Sequence, residues 1–211
     1  MFTLNPFKIL RREAKRALLR QVSKTLKVKS TYTYTKKNYR RAFIQDAGEA
    51  HIKPAKETAD VIADINWLPL VKIANVIDGD TVVVKKNGNM LKVRLDAIDA
   101  PEDGQDWGDS SKYGLIKLIG GKQVHLEEHG VDGHGRVVGT LYIWNDDKNE
   151  WMNINERMVI LGHAWVMRRY YTHLPKSRQT KLNQLERWAK SKKMGLWRNQ
   201  NPIPPWQYRH N

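Results

Sequence analysis

Residues 94–103 read RLDAIDAPED, an arginine followed by four carboxylates, and Asp78-Gly79-Asp80 adds two more upstream. Asp78, Asp80 and Asp99 flank segments that read as neighbouring strands, and Glu102 follows a proline that stiffens its turn. Hard oxygen donors converging from two loop ends are what Ca²⁺ or Mg²⁺ takes as ligands. Asp-Gly-Asp and Asp-x-Pro-Glu are equally ordinary turn chemistry, so the acids alone establish no metal site. The arginines change the balance. Arg94 lies five residues before Asp99, and DGHGR (132–136) delivers Arg136 to the start of a later strand. A guanidinium is a planar fork that matches the oxygens of a phosphate. Two arginines beside carboxylates that hold a cation need an anion between them, and a phosphodiester supplies one. Cation and arginines would neutralise charge that grows on the phosphate as it becomes five-coordinate, and a remaining carboxylate would serve as base for the attacking water.

Short strands are expected to carry these groups. LVKIANVI (70–77) and TVVVKK (81–86) are rich in β-branched residues, and LKVRLDAI (91–98) alternates apolar with polar. Asn87-Gly88 between the second and third is a hairpin signal. SSKYGLIKLIGG (110–121) reads as a helix closed by glycines, followed by two strands at KQVHLEEH (122–129) and RVVGTLYIW (136–144). NINERMVILG (153–162) reads as a helix ending at Gly162, and SRQTKLNQLERWAKSKKMG (177–195) as a longer one with Leu182, Leu185 and Ala189 inward and Gly195 as its stop. The expected class is α+β, mainly β barrel: a five-stranded Greek-key barrel of the OB type with three packed helices, plus a basic N-terminal helical extension.

The charge is unevenly placed. The chain has 211 residues and a formal charge of +15, with 37 Lys and Arg against 22 Asp and Glu. Residues 1–43 hold thirteen of those cations against one acid, Glu13. Asn5-Pro6 suggests a helix start, and Phe7, Leu10, Ala14, Leu18, Val22 and Leu26 form one apolar stripe. Such an arm suits a polyanion, either nucleic acid or an anionic membrane surface, although a solvated basic tail is the simpler reading. The expected division is an arm at 1–43, a linker at 44–66, the compact domain at 67–200 and a C-terminal tail at 201–211. Cysteine is absent, which excludes disulfides and thiolate metal sites. No segment has the length of an apolar membrane span, and no cleavable secretion signal is seen. A monomer in the cytoplasm is expected, with an organelle presequence or attachment at a membrane surface left open by the Arg-rich start.

Taken together, VIDGDTV (76–82), RLDAIDAPE (94–102), DGHGR (132–136), INERMVILGHAWV (154–166) and KKMGLW (192–197), followed by NPIPPWQYR, resemble the staphylococcal nuclease (thermonuclease) family. That resemblance spans about Lys72 to Trp197. It implies an OB-type barrel that hydrolyses DNA and RNA with Ca²⁺. Asp80, Asp99 and the backbone carbonyl of Ala100 would coordinate Ca²⁺, and Glu102 would reach the metal or its water as general base. Arg94 would bind the phosphate in the transition state and Arg136 would lie near the leaving oxygen. Asp78 would either support a metal ligand from behind or act only as a turn residue. Loss of the 5′-oxygen would leave 3′-phosphate ends. Two departures stand out: the founding nuclease has threonine where Ala100 stands, and lysine and tyrosine where Gly133 and His134 stand. His134 is thereby placed beside the nucleotide, and Tyr170 matches a tyrosine that could stack on or hydrogen-bond to the substrate, or could pack beneath Tyr171.

Trp165, Trp188 and Trp197 are expected in the core rather than on bases, with Trp107 and Trp206 less constrained. His125, His129, His134 and His163 form no recognisable ligand spacing. The rival to a nuclease is a catalytically silent OB-type module that binds nucleic acid. Such a module usually lacks part of the acid and arginine set, which is complete here. A third possibility, a membrane anchor formed by the arm, is compatible with either.

Overall fold

The computed structural model describes residues 65–210; the basic arm, its expected helix and nearly all of the linker lie outside the described residues. Strands β1 (Leu70–Val76), β2 (Thr81–Lys86) and β3 (Asn89–Leu95) form an antiparallel meander. Asn87 and Gly88 both take positive φ, 50° and 87°, the backbone that a tight twisted hairpin needs and the reason the Asn-Gly pair marks it. After a two-residue strand β4 (Ile98–Asp99) and helix α1 (Gly108–Ile119), β5 (Gln123–Val131) pairs with β1, and β6 (Val137–Asn145) pairs with β5. Parallel pairing of β3 with β6, with Val93 opposite Val137 and Arg94 opposite Val138, closes the sheet into a five-stranded barrel. Val71, Ile73, Val82, Val84, Val93, Leu95, Val124, Leu126 and Leu141 fill its interior, as alternation along the strands requires.

A short strand β7 (Glu150–Asn153) extends β6 into a hairpin that the sequence reading left out. Asn153 then caps helix α2 (Ile154–Ile160), its side chain accepting the Glu156 N–H at 3.0 Å. Strand β8 (Trp165–Val166) pairs with β4, a 3-10 turn spans Arg168–Tyr170, and helix α3 runs over Lys176–Ser191. A four-residue helix α4 (Pro205–Tyr208) follows near the C-terminus. No helix among the described residues is long and apolar enough to cross a membrane.

One expected boundary is corrected. Helix α3 ends at Ser191, where Lys193 takes φ 50°, and Gly195 belongs to a separate 3-10 turn. Gly195 is needed for proximity: a Cβ there would meet the Gly162 carbonyl oxygen at 2.1 Å, and one at Gly162 would meet that of Met194 at 2.2 Å. The two glycines let the end of α2 and the 3-10 turn after α3 touch backbone to backbone, and the Leu196 N–H donates to the Gly162 carbonyl across the contact.

Buried polar groups tie the helices to the barrel. Asn155 of α2 donates to the carbonyls of Asp96 and Gly139 and accepts the Leu141 N–H. Glu186 of α3 accepts the Val166 N–H at 2.9 Å and pairs with Arg168 at 2.6 Å, which holds β8 and the following turn against α3. His163 is packed against Gly114 and accepts the indole N–H of Trp107 at 3.3 Å. Burial, and after it the charge of Lys117, push the pKa of His163 down from 6.5 to about 4. The unfolded chain therefore takes up this proton first, and its contribution to stability is lost as pH falls through 6.5 toward 4, by about 3 kcal/mol in all. Urea denaturation across this range should show a flatter acid loss for His163→Gln than for the parent chain; parallel curves would show that His163 does not titrate in this way.

Candidate active site

Asp80 sits in the turn between β1 and β2, where its N–H donates to the side chain of Asp78 at 2.9 Å. Gly79 permits the turn to pack: a Cβ there would lie 1.9 Å from Ser111 Oγ and 2.7 Å from the Ala100 methyl. The Asp80 carboxylate is thereby set into the barrel end, with Oδ2 accepting the Ala100 N–H at 2.6 Å and Oδ1 accepting the Thr81 hydroxyl. Asp99 arrives from the other side. Ala97, at φ 61°, turns the chain between β3 and β4, and pairing of β4 with β8 fixes Asp99 opposite Trp165, its side chain 1% exposed. The turn folds Arg94 back onto the residue five positions later. Its guanidinium pairs with Asp80 Oδ1 at 2.6 Å and donates to Asp99 Oδ1 at 2.7 Å.

Burial raises the Asp80 pKa to about 7, and the neighbouring carboxylates of Asp78 and Asp99 add to the rise while Arg94 opposes it. Burial also works against the charge of Arg94, but the carboxylates of Asp80 and Asp99 outweigh it and raise its pKa. Arg94 Nη1 is buried and has no aligned acceptor despite its short approach to Asp80. Four carboxylates, those of Asp78, Asp80, Asp99 and Glu102, thus share two guanidiniums, Arg94 and Arg209. A bound cation would relieve that excess, and the carboxylate oxygens of Asp80 and Asp99 suit a hard one.

Sequence reasoning missed a fourth participant. Residues expected as a C-terminal tail return to the barrel, where Gln105 Nε2 donates to the Ile203 carbonyl at 2.7 Å. Arg209 then pairs with Asp99 at 3.0 Å and with the carboxylate of Glu102. Glu102 is itself half-exposed, and its N–H donates to Gln105 Oε1 at 2.9 Å. No local signal marks Arg209, which follows Asp99 by 110 residues.

Arg136, His134 and Tyr170 are placed differently. Arg136 precedes Val137, the partner of Val93, and lies two positions before Val138, the partner of Arg94. Arg136 thus stands at the mouth of the strand that pairs with β3, in the turn just before it. Asp132 accepts the Arg136 Nε–H at 2.7 Å and both the Arg136 and His134 backbone N–H groups, so DGHGR is a rigid turn that presents the arginine. His134 is exposed at its tip. Tyr170 is 58% exposed in the 3-10 turn with Arg169 over its ring, while Tyr171 is the one that packs, its hydroxyl accepting from Asn183. Trp165 is buried, with Trp197 and Trp206 edge-on to it, and Trp188 packs on the core.

Residues 92–199 match the staphylococcal nuclease homologue family. An uncharacterized endonuclease of Escherichia coli is 36% identical over 139 residues, covering 66% of this chain and 84% of the relative. A micrococcal nuclease of Shigella flexneri is 33% identical over 141 residues, covering 65% and 79%. A probable staphylococcal-like nuclease of Oryza sativa subsp. japonica is 35% identical over 132 residues, covering 63% of this chain and 31% of its own length. With the closed barrel, the paired acids and the arginine between them already in place, these matches assign the chain to the staphylococcal nuclease family.

Proposed function

We propose that this chain is a Ca²⁺-dependent nuclease that hydrolyses phosphodiester bonds of DNA, RNA or both by water attack. The observation that carries the reading is Arg94, held between two buried carboxylates, Asp80 and Asp99, at one end of the barrel. Asp80, Asp99 and the Ala100 carbonyl would hold Ca²⁺, which when bound supplies positive charge against the phosphate. The chain's own groups do the rest. Arg94 donates to the non-bridging oxygens, and its burial makes each donor bond count for more than it would in water. Glu102, half-exposed beside the buried acids, accepts a proton from the attacking water as oxygen bonds to phosphorus. The bond from phosphorus to the 5′-oxygen breaks, Arg136 stabilises the charge on that oxygen until it takes a proton from solvent water, and the products are a 3′-phosphate and a 5′-hydroxyl. The Nε bond from Arg136 to Asp132 orients the fork. His134 at the turn tip and the exposed ring of Tyr170 contact the nucleotide, the latter by stacking. Asp78 supports Asp80 from behind, its carboxylate accepting the Asp80 backbone N–H. Arg209 occupies Asp99 and Glu102 at rest and gives them up when the cation and substrate enter.

The test is digestion of labelled plasmid DNA and of a single-stranded RNA with Ca²⁺, with Mg²⁺ and with chelator. Cleavage with Ca²⁺, 3′-phosphate ends and complete loss in chelator are expected, as is loss of activity in Asp99→Asn at moderate Ca²⁺. Binding of nucleic acid without cleavage in any metal would leave a silent binding module instead, and full activity in excess chelator would remove the metal from the mechanism.

A further inference from the structure

Asp96 Oδ2 lies 2.9 Å from His173 Nε2 and 3.8 Å from His129 Nε2, and the three donor atoms all fall within 4.8 Å of one another. We propose that Asp96, His129 and His173 form a second metal site, for an ion of the Zn²⁺ class, that fastens the loop after Tyr170 to the barrel.

Geometry and donor type both support this. In a tetrahedral zinc site with ligand bonds of about 2.0–2.1 Å, neighbouring donors lie about 3.3 Å apart. The spacing seen here brackets that value. Two imidazoles and one carboxylate favour Zn²⁺, Co²⁺ or Ni²⁺ over Ca²⁺ or Mg²⁺, which take oxygen, so the two sites of this chain would select different ions. Asp96 is rigidly presented: its N–H donates to the Gly139 carbonyl at 2.8 Å and its own carbonyl accepts from Asn155. Its carboxylate is 2% exposed, and among the described residues its ion-pair partners are the two histidines alone. A buried carboxylate without lysine or arginine beside it needs another source of positive charge.

His129 projects from the irregular part of β5, where the register shifts between Glu128 and Gly130. Such a bulge re-aims a side chain. Its ring stands 5.4 Å from that of His173, centroid to centroid. The opposing charge nearby is Arg178, which donates to Thr140 Oγ1, the hydroxyl 3.0 Å from His129 Nε2. Its charge is already matched by Glu127, at 3.0 and 3.2 Å. The His173 side chain is 43% exposed, which leaves an entry path on the solvent side. Since Asp96 lies between Arg94 and Asp99, and His173 follows Tyr170 by three residues, a bound ion would join the catalytic turn to the tyrosine loop.

Co²⁺, a spectroscopic substitute for Zn²⁺, tests the site on the full chain. Expected are a saturable visible absorption corresponding to one Co²⁺ per chain, its displacement by Zn²⁺ but not by Ca²⁺, and slowed hydrogen exchange of residues 168–175 on Zn²⁺ addition. His173→Gln, an exposed change that leaves the core untouched, should weaken Co²⁺ binding by at least about tenfold and abolish the exchange effect. His129→Gln should do the same. Absence of a saturable spectrum, or one unchanged in both variants, would overturn the site and leave an ordinary hydrogen bond between His173 and Asp96. Neither readout depends on catalysis, so the result stands apart from that of the nuclease assay.

Discussion

Arg94→Ala is expected to lower kcat by about two to three orders of magnitude at saturating Ca²⁺, the loss that follows removal of one preorganised donor to a transition-state oxygen. Its guanidinium is only 17% exposed and touches both Asp80 and Asp99. Truncation therefore has a second consequence, since it leaves Asp99 with less of its counter-charge. Breaking one side of a buried pair costs about 3–5 kcal/mol. The bound cation would offset part of this, as Arg209 on Asp99 would in its absence. Circular dichroism on the variant in Ca²⁺ separates loss of fold from loss of chemistry. Arg94→Lys sharpens the point, because it keeps the charge but not the fork, and most of the kcat loss should persist. Arg136→Ala should lower kcat comparably while leaving stability nearly unchanged, since that side chain is 28% exposed and, among the described residues, bonded only to its own turn. A rise in KM with kcat intact in either variant would mean that the arginine binds ground state and transition state alike.

Some parts of this site were legible in the sequence for simple reasons. TVVVKK is rich in β-branched residues, and Val93 and Leu95 alternate with outward polar ones, so the strand that follows Asp80 and the strand that carries Arg94 announce themselves. Asn87-Gly88 fixes their register, and register is what brings Thr81 opposite Arg94. The acids and arginines then stand where short loops must hold them. Features that depend on distant segments were not legible. Arg209 meets Asp99 and Glu102 only because α4 returns to the barrel end. Asp96, His129 and His173 come from a strand turn, a bulge and a loop, and no fixed spacing joins such residues. Gly195 was misread because helix termination and close backbone approach select the same residue, and only the position of Gly162 distinguishes them.

Removal of residues 1–43 should flatten the salt dependence of duplex binding by roughly five log units per log unit of salt. The arm carries thirteen cations against one acid, so it holds most of the chain's net charge of +15. If about six of those cations engage phosphates, the full chain should lose an additional factor of about 10³ in affinity between 50 and 200 mM salt that the shortened chain does not lose. Turnover at saturating substrate should be the same for both, because the proposed catalytic groups run from Asp80 to Arg136 and none is removed. The apolar stripe of Phe7, Leu10, Leu18 and Leu26 offers the contrasting outcome. On anionic vesicles that stripe would enter the headgroup boundary while the lysines meet lipid phosphates. Equal salt slopes for the two chains, together with flotation that depends on the arm, would move its role from capture of substrate to attachment at a membrane. A steeper slope in the full chain with no flotation would place it on nucleic acid.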